Sequence, residues 1–557
     1  MSVPASVQSS AASSAECYPM AVLPHIAPLY ADYLAMADAS SAVRSWYGAE
    51  PLGLGWMNRE VAVPNPAALA DALHRQSLAF GAGDAALKNI ELVRNGARAV
   101  VTGQQVGLFG GPLYTPLKAA TAIARARQAT ASGNPHAAIF WLASEDHDFS
   151  EINHSIFPAG RELANLEYEH APDAALPAGR IVLDDSISAL VERAAEIFGP
   201  SDATEAVVAA YKPGRTFAQA FADFYSRIFA AQGLLVVDAA SREFHRLGAP
   251  VLRTAIEQAD KLHAALLERI SALEAAGYHA QVAVAEQSSL LFLFDEQTGA
   301  RIALKRVSPS AAEPNGIWQA AAPNGTQSYS TADLVGILEA EPERISPAAL
   351  LRPVFQDFLF STSLIAAGPA EIAYFAQSAI VYERILGRQT PVHPRFSATL
   401  IEPQIGSLIR KHELTLEQIF AGNVAELAQH LAARSMPIET KQKLAAAGNA
   451  MDAELTALVD WMQSQDKGLG QSADTAAGKI RYQMNRMRTL AANFQLQRES
   501  TLTRHAESIA QAIFPGGVMQ ERIHGGAYYF ARYGLELAET LCEQAANSCP
   551  GHTAIWL

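Results

Sequence analysis

The sequence predicts an α/β fold in which a buried parallel sheet carries helices on both faces and a helical region follows it. Short, apolar and β-branched runs occupy 97–103, 137–144 and 233–238, and helical sequence separates the first two runs. Buried strands that alternate with helices are typical of βαβ units, whose strands lie parallel. Beyond residue 410, apolar residues recur at heptad spacing, which predicts long helices that pack along one seam.

The elements can be placed in chain order. Apolar residues at helical spacing predict helices over 18–96, and 116–129 is predicted to be the helix between the first two strands. The buried runs at 362–368 and 392–401 are candidates for the last strands of the sheet. The predicted units are a disordered tail at 1–17, a core at 18–154, 223–277 and 346–410, an insertion at 155–222, a β-rich insertion at 278–345, a helical domain at 411–511 and a C-terminal segment at 512–557 that packs back on the core.

Two helices joined by a turn are predicted within 439–511. The two heptad series are Met451, Leu455, Leu458 and Met462, and then Ile480, Met484, Met487, Ala491 and Phe494. The segment 465–475, which contains Gly468 and Gly470, is predicted to be the turn between them. A protruding coiled-coil arm and an ordinary helical domain both remain open. An apolar seam on such an arm favours a homodimer.

The composition excludes several classes of protein. Half of the 557 residues are apolar and 18% are charged, which excludes a chain that is disordered throughout. The formal net charge is −14, so the chain lacks the overall basic excess of proteins that bind nucleic acid. No apolar run reaches the roughly 18 residues of a membrane-spanning helix. Three dispersed cysteines are too few for a disulfide framework, and together with the lack of a signal-like N-terminus they predict a cytoplasmic protein.

A glycine-rich segment, VTGQQVGLFGGPLY at 101–114, follows the first predicted strand and precedes a helix. Such a loop lets backbone N–H groups approach an anion, and the helix N-terminus adds a positive dipole end. A tight structural turn is the alternative, since the pattern is neither a Walker A loop nor GxGxxG. The candidate binding residues are Gln104, Gln105, Gly107, Gly110, Gly111, Tyr114 and Lys118.

Four acids and two histidines crowd the segment SEDHDFSEINH at 144–154, directly after the second predicted strand. Carboxylates this close repel one another, and a fold retains them where they bind cations, contact a ligand or transfer protons. A solvated acidic loop is the alternative. A metal site is also open, although the spacing matches no established motif and no metal ligand is predicted. The candidate catalytic residues are Glu145, Asp146, His147 and Asp148.

Charged residues also interrupt the apolar stretch at 351–357, where Arg352 and Asp357 stand. An arginine at this place suits a substrate carboxylate, whereas a buried Arg352–Asp357 pair would have a structural role. The predicted sheet edge carries further candidates, which are Gly368 and Glu371 at a strand-to-helix turn and His393 and Arg395 on either side of a proline.

Together these segments resemble the BshC family, the cysteine ligases of bacillithiol biosynthesis. The resemblance is carried by VTGQQVGLFGGPLYTPLK, FWLASEDHDFSEINH, LLRPVFQDFLF, AAGPAEIAYFAQ, PVHPRFS and FPGGVMQER, which occur in the family's order and cover roughly 18–545. The same motifs add candidate binding residues at Asn153, His154, Gln356 and Tyr374.

The resemblance implies a ligase that joins L-cysteine to the amine of glucosaminyl-malate, the last step of bacillithiol biosynthesis. It implies a Rossmann-like core similar to nucleotidyltransferases and class I aminoacyl-tRNA synthetases, with two connecting-peptide insertions and a coiled coil associated with dimerisation. ATP is the expected activator of the cysteine carboxylate, with Mg²⁺ alongside it, and the partners are small molecules. The HIGH-type and KMSKS-type signatures of such synthetases are not recognisable in this sequence.

Two other functions remain open at this point. The first is a metal-dependent hydrolase that uses the cluster from Glu145 to His154. The second is a non-catalytic nucleotide-binding scaffold that dimerises through the helical hairpin.

Overall fold

The structure is a computed structural model, and it describes residues 14–24, 26–35, 41–160, 162–172, 175–238, 240–307, 316–322, 325–547 and 549–557. The chain divides into two compact units. We call residues 15–398 with 521–554 the core unit, and residues 399–520 with 555–557 the helical unit.

Helices and strands are numbered along the chain. Up to the last strand of the central sheet they are β1 (Ser14–Tyr18), α1 (Pro28–Leu34), α2 (Ser41–Trp46), α3 (Pro66–Ala79), α4 (Asp84–Arg94), β2 (Arg98–Gln104), α5 (Tyr114–Ala131), β3 (His136–Leu142), β4 (His154–Ala159), β5 (Glu162–Glu167), α6 (Ile187–Phe198), α7 (Asp202–Ala210), α8 (Phe217–Ile228), β6 (Leu235–Asp238), α9 (Arg242–Glu257), α10 (Ala259–Ala275), β7 (Ser288–Phe294), β8 (Arg301–Val307), β9 (Ile317–Ala322), β10 (Gly325–Tyr329), α11 (Thr331–Ala340), β11 (Ile345–Pro347), α12 (Arg352–Phe360), β12 (Thr362–Ala367), α13 (Pro369–Leu386) and β13 (Val392–Pro394). The remaining elements are β14 (Ala398–Ile401), α14 (Pro403–Lys411), α15 (Leu416–Phe420), α16 (Val424–Ser435), α17 (Ile438–Gln465), α18 (Lys467–Arg498), α19 (Ser500–Ile513), α20 (Gln520–Ile523), α21 (Gly526–Tyr533), α22 (Leu537–Ala546) and β15 (His552–Trp556).

Five parallel strands form the central sheet of the core unit, in the order β13-β12-β2-β3-β6. Helix α5 connects β2 to β3, and the register pairs Val100 with Ala138 and Ile139 with Leu235. The α/β class predicted from the sequence is therefore confirmed. Of the predicted strand 392–401, only Val392–Pro394 joins this sheet.

Helices cover both faces of the sheet, as neighbouring residues of β3 demonstrate. Phe140 stacks on Tyr225 of α8, with ring centroids 5.1 Å apart. Trp141 meets Phe355 of α12 edge-on at 6.1 Å. Successive side chains of a strand point to opposite faces, so α8 and α12 lie on opposite sides. This double covering explains why every residue of β3 is buried.

Two excursions from the sheet match the regions predicted as insertions. Between β3 and β6 the chain forms the antiparallel pair β4–β5 and then helices α6, α7 and α8. Since α8 packs on the sheet, the predicted boundary at 222 falls inside a core helix. The second excursion forms an antiparallel sheet in the order β10-β9-β8-β7-β11.

In the helical unit, α17 and α18 form an antiparallel hairpin. The prediction of a turn over 465–475 is wrong, because α18 begins at Lys467 and the connection is Asp466 alone. The Asp466 side chain caps α18 by accepting a hydrogen bond from the Leu469 amide at 2.9 Å. A Cβ atom on Gly470 would lie 2.7 Å from the Gln463 Cα, so glycine allows the two helices to approach closely here.

The predicted heptad seam is only partly buried within the chain. Met484 of α18 is buried, whereas the side chains of Ile480, Met487 and Phe494 are 45%, 58% and 60% exposed. Trp461 of α17 is 56% exposed as well. The hairpin thus leaves half of its apolar seam at the surface.

Two predictions about the chain's ends need correction. Part of the predicted tail is ordered, since Ser14–Tyr18 is a strand, and residues 1–13 lie outside the described residues. Cys17 and Cys549 form a disulfide across 532 residues of sequence, and both lie in the core unit. Dispersal along the sequence therefore did not exclude a disulfide, because the fold brings the two cysteines together.

Candidate active site

A cavity of about 450 Å³ lies at the carboxyl ends of β2, β3 and β12. The first turn of α13 and side chains from β7 and β8 complete its walls. Open α/β sheets bind ligands at this edge. The predicted site residues that line the cavity are Gln104, Gln105, Tyr114, Lys118, Glu145, Asp146, His147, Arg352, Gly368, Glu371 and Arg395. Those outside the lining are Gly107, Gly110, Gly111, Asp148, Asn153, His154, Gln356, Asp357, Tyr374 and His393.

Lys118 of α5 is buried and fully engaged with the protein. Its ammonium donates to the Gly103 carbonyl at 2.8 Å and to Gln104 Oε1 at 2.9 Å, and it lies 2.5 Å from Glu371 Oε2. Burial lowers the pKa of Lys118, and the Glu371 carboxylate offsets part of that shift. Because these three contacts use all three donors of the ammonium, Lys118 organises the cavity wall rather than binding a ligand.

The glycine-rich loop has a structural role, which corrects the prediction that it cradles an anion. The Gly110 amide donates to the Tyr211 hydroxyl at 2.9 Å, and the amides of Gly107 and Gly111 donate to carbonyls inside the same loop. Gly110 has a φ of 84°, and a Cβ atom there would lie 2.5 Å from Phe224 Cε1 of α8. Glycine is required for this packing, and the amides of Gly107, Gly110 and Gly111 are already used within the protein.

The acidic segment after β3 is held by Gln105. The Gln105 amide donates to Asp146 Oδ2 at 2.8 Å and also to Glu151. Burial raises the pKa of Asp146, but hydrogen bonds from Gln105 and the His147 amide, with the charges of Arg301 and Arg352, lower it below its ordinary value. Asp146 therefore faces the cavity as a carboxylate.

Glu145 has a buried partner that sequence reasoning missed. His245 of α9 is fully buried, and its Nε2 lies 2.9 Å from Glu145 Oε1. Its Nδ1 lies 3.1 Å from the Pro342 carbonyl oxygen. The two residues are 100 positions apart in the sequence, and no local pattern marks His245.

The other members of the acid and histidine cluster lie in different places, some in the cavity lining and some outside it. His147 lines the cavity with its side chain 42% exposed, and its Nδ1 is 3.9 Å from Asp146 Oδ1. Asp148 turns to the surface and accepts a hydrogen bond from Ser150, while His154 is exposed at the start of β4. Asn153 is buried and donates to Glu167 and the Tyr168 carbonyl. Asp148, Asn153 and His154 thus lie outside the cavity because the chain turns away after His147.

Arg352, at the start of α12, is a cation without a carboxylate partner in the described part of the chain. Its Nη2 donates to the Tyr374 hydroxyl at 2.9 Å, and its Nε is buried without a hydrogen-bond partner. Tyr374 thus lies behind Arg352 rather than in the cavity lining. A guanidinium held in this way, at the wall of a cavity, suits an anionic ligand.

Asp357 and Gln356 do not join this site. The structure does not contain the Arg352–Asp357 pair that was the structural alternative, because Asp357 pairs with Arg388 and also accepts a hydrogen bond from Thr390. Burial raises the pKa of Asp357 to about 6, against the lowering effect of Arg388. Gln356 is buried on α12, outside the cavity lining.

Sequence reasoning also missed two arginines in the cavity. Arg301 of β8 lies over the Phe292 ring at 3.8 Å and donates to Ser346 and the Pro347 carbonyl at 3.0 Å each. Arg522, from the C-terminal segment FPGGVMQER, is exposed at the lining. The cavity's cations are Lys118, Arg301, Arg352, Arg395 and Arg522, and its carboxylates are Glu145, Asp146 and Glu371. The cavity is thus locally cationic in a chain whose net charge is −14.

The two candidates beside Pro394 have different roles. Arg395 lines the cavity, but Glu521 neutralises it through two hydrogen bonds, of 2.5 and 3.0 Å. His393 points away from the cavity, and its ring meets Trp56 edge-on at 6.2 Å. Burial lowers the pKa of His393 to about 3, so the ring is a neutral part of the core.

The described residues contain no group of three or more His, Cys, Asp or Glu side chains placed to hold a metal ion. None of their helices is both long enough and apolar enough to cross a membrane.

Together, these features define a Rossmann-like α/β protein with a cationic ligand cavity at the sheet edge and a C-terminal helical hairpin. Residues 21–396 match the family described as "Bacillithiol biosynthesis BshC, N-terminal Rossmann-like domain". Residues 398–557 match "Bacillithiol biosynthesis BshC, C-terminal coiled-coil domain".

Curated relatives agree with this match over nearly the whole chain. A protein of Koribacter versatilis (strain Ellin345), named "Putative cysteine ligase BshC", is 39% identical over 97% of this chain and 99% of its own length. Proteins of the same name from Solibacter usitatus and Salinibacter ruber are 32% and 30% identical, over 83% and 96% of this chain and 85% and 97% of their own lengths. The chain belongs to the BshC family, and the ligase class predicted from the sequence is confirmed.

Proposed function

We propose that the protein joins L-cysteine to the amine of glucosaminyl-malate, giving bacillithiol, and that it does so in the cytoplasm with ATP as the activator. The observation that carries this proposal is the cavity itself. It places the unpaired guanidinium of Arg352 within the same lining as the carboxylates Glu145 and Asp146. In this ligation the protein must bind the anionic substrates and accept a proton from the attacking amine.

The chemistry requires an activated carboxylate, because a carboxylate and an amine do not condense unaided in water. Cysteine and ATP would give cysteinyl-adenylate and pyrophosphate. The amine would then attack the acyl carbon, forming the C–N bond while the C–O bond to AMP breaks and AMP leaves with the electron pair. One proton is lost from the nitrogen, and a base that lines the cavity would accept it.

The malate part of the substrate carries two carboxylates, and two arginines are positioned to receive them. Arg352 has a buried Nε without a partner, and Arg301 is held against Phe292 by hydrogen bonds to Ser346 and Pro347. Planar guanidinium groups bind carboxylates through paired hydrogen bonds. Their fixed positions lower the entropy cost of binding a dianion.

Three residues are candidates for the base. Glu145, Asp146 and His147 line the cavity, whereas Asp148 does not. Both oxygens of Asp146 already accept hydrogen bonds, from Gln105 and from the His147 amide, whereas among the described residues Glu145 is bound only through Oε1. Glu145 and His147 are therefore the favoured proton acceptors.

The nucleotide needs a different anion site from the one predicted. The amides of Gly107, Gly110 and Gly111 donate within the protein. The exposed Arg522 faces the cavity instead, and its charge favours phosphate groups. Mg²⁺ usually binds through substrate phosphates while it keeps several waters, and here it would enter together with the nucleotide. Bound in that way, it would neutralise charge on the phosphates.

The helical hairpin supports the further proposal of a homodimer. Ile480, Met487 and Phe494 expose apolar surface on one series of heptad positions of α18. A second copy of the hairpin would cover this surface by the knobs-into-holes packing of coiled coils. The partner in this proposal is the same chain.

The test of the proposed function is a product assay. The purified protein would be incubated with glucosaminyl-malate, cysteine, ATP and Mg²⁺, and the products would be measured by mass spectrometry. The proposal predicts bacillithiol together with AMP, and neither product when ATP is omitted. A hydrolase would instead consume a single substrate without cysteine, and a non-catalytic scaffold would yield no product.

A further inference from the structure

A buried histidine stands behind the cavity wall with both ring nitrogens engaged. His245 of α9 has no exposed surface. Its Nδ1 is 3.1 Å from the Pro342 carbonyl oxygen, and its Nε2 is 2.9 Å from Glu145 Oε1. A carbonyl oxygen can only accept, so Nδ1 carries a hydrogen. The remaining proton lies between Nε2 and the carboxyl group.

The surroundings decide where that proton resides. Burial lowers the pKa of His245, but the charge and hydrogen bond of Glu145 and the carbonyls of Pro342 and Ile345 raise it above the ordinary value of 6.5. The contact with Glu145 therefore favours the imidazolium form of His245, in which both ring nitrogens donate.

The carboxylate end of the pair belongs to the cavity. Glu145 lies in the segment directly after β3 and lines the cavity, while its Oε1 is fixed by His245. Among the described residues, no hydrogen bond is made to Glu145 Oε2. One oxygen is thus held in place and the other is available to a ligand.

We propose that His245 is a positioning residue, which holds Glu145 Oε1 and orients the carboxylate so that Oε2 accepts the proton released by the substrate amine. This inference rests on the proposed function. As the C–N bond forms and AMP departs with the electrons of the C–O bond, the amine proton moves to Oε2 and later to water. His245 keeps its own two protons throughout and does not touch the substrate.

Other charged groups face Glu145 and enter any measured pH dependence. Arg301 reaches it from β8, Asp238 from the end of β6, and Asp146 from its own segment. The arginine attracts the Glu145 carboxylate and the two acids repel it. His245 contacts the Glu145 carboxylate from the buried side and offsets the repulsion from Asp238 and Asp146.

The test is a double-mutant cycle with Glu145→Gln, His245→Gln and both substitutions together. Glutamine is chosen at position 245 because it is neutral and retains a hydrogen-bond donor toward Glu145. Loss of the base in Glu145→Gln lowers kcat by about 10²- to 10⁴-fold. His245→Gln is expected to lower kcat by roughly 10- to 100-fold, as losses of supporting residues do, with KM for glucosaminyl-malate unchanged. In the Glu145→Gln background, His245→Gln should change kcat by less than about twofold, because its effect acts through Glu145.

If His245→Gln lowered kcat by the same factor in the wild-type protein and in Glu145→Gln, the proposal would be overturned, since the effect would be a general structural one. The matched control is His136→Gln, which alters another buried histidine that bonds a backbone carbonyl but has no carboxylate partner. It should leave kcat unchanged. The acid limb of the kcat/KM profile should also move to higher pH in His245→Gln and not in His136→Gln.

A second readout needs no turnover and so separates this proposal from the proposed function. With ¹⁵N-labelled histidine, the nitrogen chemical shifts of His245 should mark a doubly protonated ring at pH 7. They should mark a neutral ring in Glu145→Gln. A neutral His245 ring in the wild-type protein would contradict the proposed charged contact between His245 and Glu145. An inactive wild-type protein with a charged His245 would count against the proposed ligation alone.

Discussion

The Lys118 ammonium lies 2.5 Å from the Glu371 carboxylate and joins the helix after β2 to the helix after β12 across the carboxyl edge of the sheet. The Lys118 side chain is only 4% exposed, and the same ammonium binds Gln104 and the Gly103 carbonyl. This contact fixes part of the wall of the cavity that Arg352 and Glu145 also line.

Removing this ammonium should destabilise the core unit strongly. We expect Lys118→Met to lower the free energy of unfolding by about 3–5 kcal/mol, because Glu371 loses its buried partner. Denaturant unfolding followed by circular dichroism measures the change. Lys118→Met combined with Glu371→Gln should recover part of the loss. The control Lys88→Met, at an exposed position, should stay within about 0.5 kcal/mol of the wild-type protein. An equally large loss in the control would contradict this account.

Arg352 should contribute to affinity for the malate part of the substrate. A hydrogen bond to a charged group contributes about 1.5–3 kcal/mol, so Arg352→Met should raise the Kd for glucosaminyl-malate by roughly 10- to 100-fold. Calorimetry measures this value. Glucosamine without the malate group should bind both proteins alike. Arg384→Met, at an exposed position on α13, is the control and should leave the Kd unchanged. An unchanged Kd in Arg352→Met would remove Arg352 from substrate recognition.

His393 should make the fold sensitive to acid. Burial lowers the pKa of His393 from 6.5 to about 3, so the unfolded chain binds its proton first as the pH falls. The stability that the neutral ring contributes is complete above pH 6.5 and is lost as the pH falls toward 3. At 1.36 kcal/mol per unit, the loss between pH 6.5 and 4.5 is about 2.7 kcal/mol.

His393→Gln should therefore flatten the stability profile over this range by about the same amount. Denaturant unfolding at several pH values measures the slope. His279→Gln, at an exposed histidine of the core unit, is the control and should keep the wild-type slope. If the free energy of unfolding of His393→Gln depended on pH as steeply as that of the wild-type protein, other groups would govern the acid response.

Met487 tests the proposed dimer. The Met487 side chain is 58% exposed on the heptad seam of α18, and an aspartate there would place a charge inside a coiled-coil interface. Met487→Asp should halve the mass measured by light scattering. Asn485→Asp adds the same charge to another face of the helix and should leave the mass unchanged. A dimer that survives Met487→Asp would place the interface elsewhere.

Much of the fold could be predicted because its signals are local. The buried strands β2, β3 and β12 read as short apolar runs, since both of their faces are covered. The heptad spacing likewise predicts the hairpin. The turn at Asp466 was misplaced because Gly468 and Gly470 suggested a break in the helix. Both lie within α18, where glycine at 470 allows the close approach to Gln463.

The site was predictable only in part, because its key contacts join distant segments. Residues directly after strands, such as Glu145 and Asp146, follow from the rule that parallel sheets bind ligands at their carboxyl ends. His245 and Arg301 come from other elements, and no spacing links them to the cavity. The glycine-rich loop misled the prediction, because glycine allows close packing as well as close approach to a ligand.

The central claim is that this cavity joins cysteine to the amine of glucosaminyl-malate at the expense of ATP. The most direct measurement is the mass-spectrometric product assay with the wild-type protein, Glu145→Gln and the control His136→Gln in parallel. We predict equal amounts of bacillithiol and AMP from the wild-type and control proteins, and at least a hundredfold slower formation by Glu145→Gln, about the least that loss of a general base costs. Bacillithiol formed at the wild-type rate by Glu145→Gln, or no bacillithiol from any of the three proteins, would contradict the account.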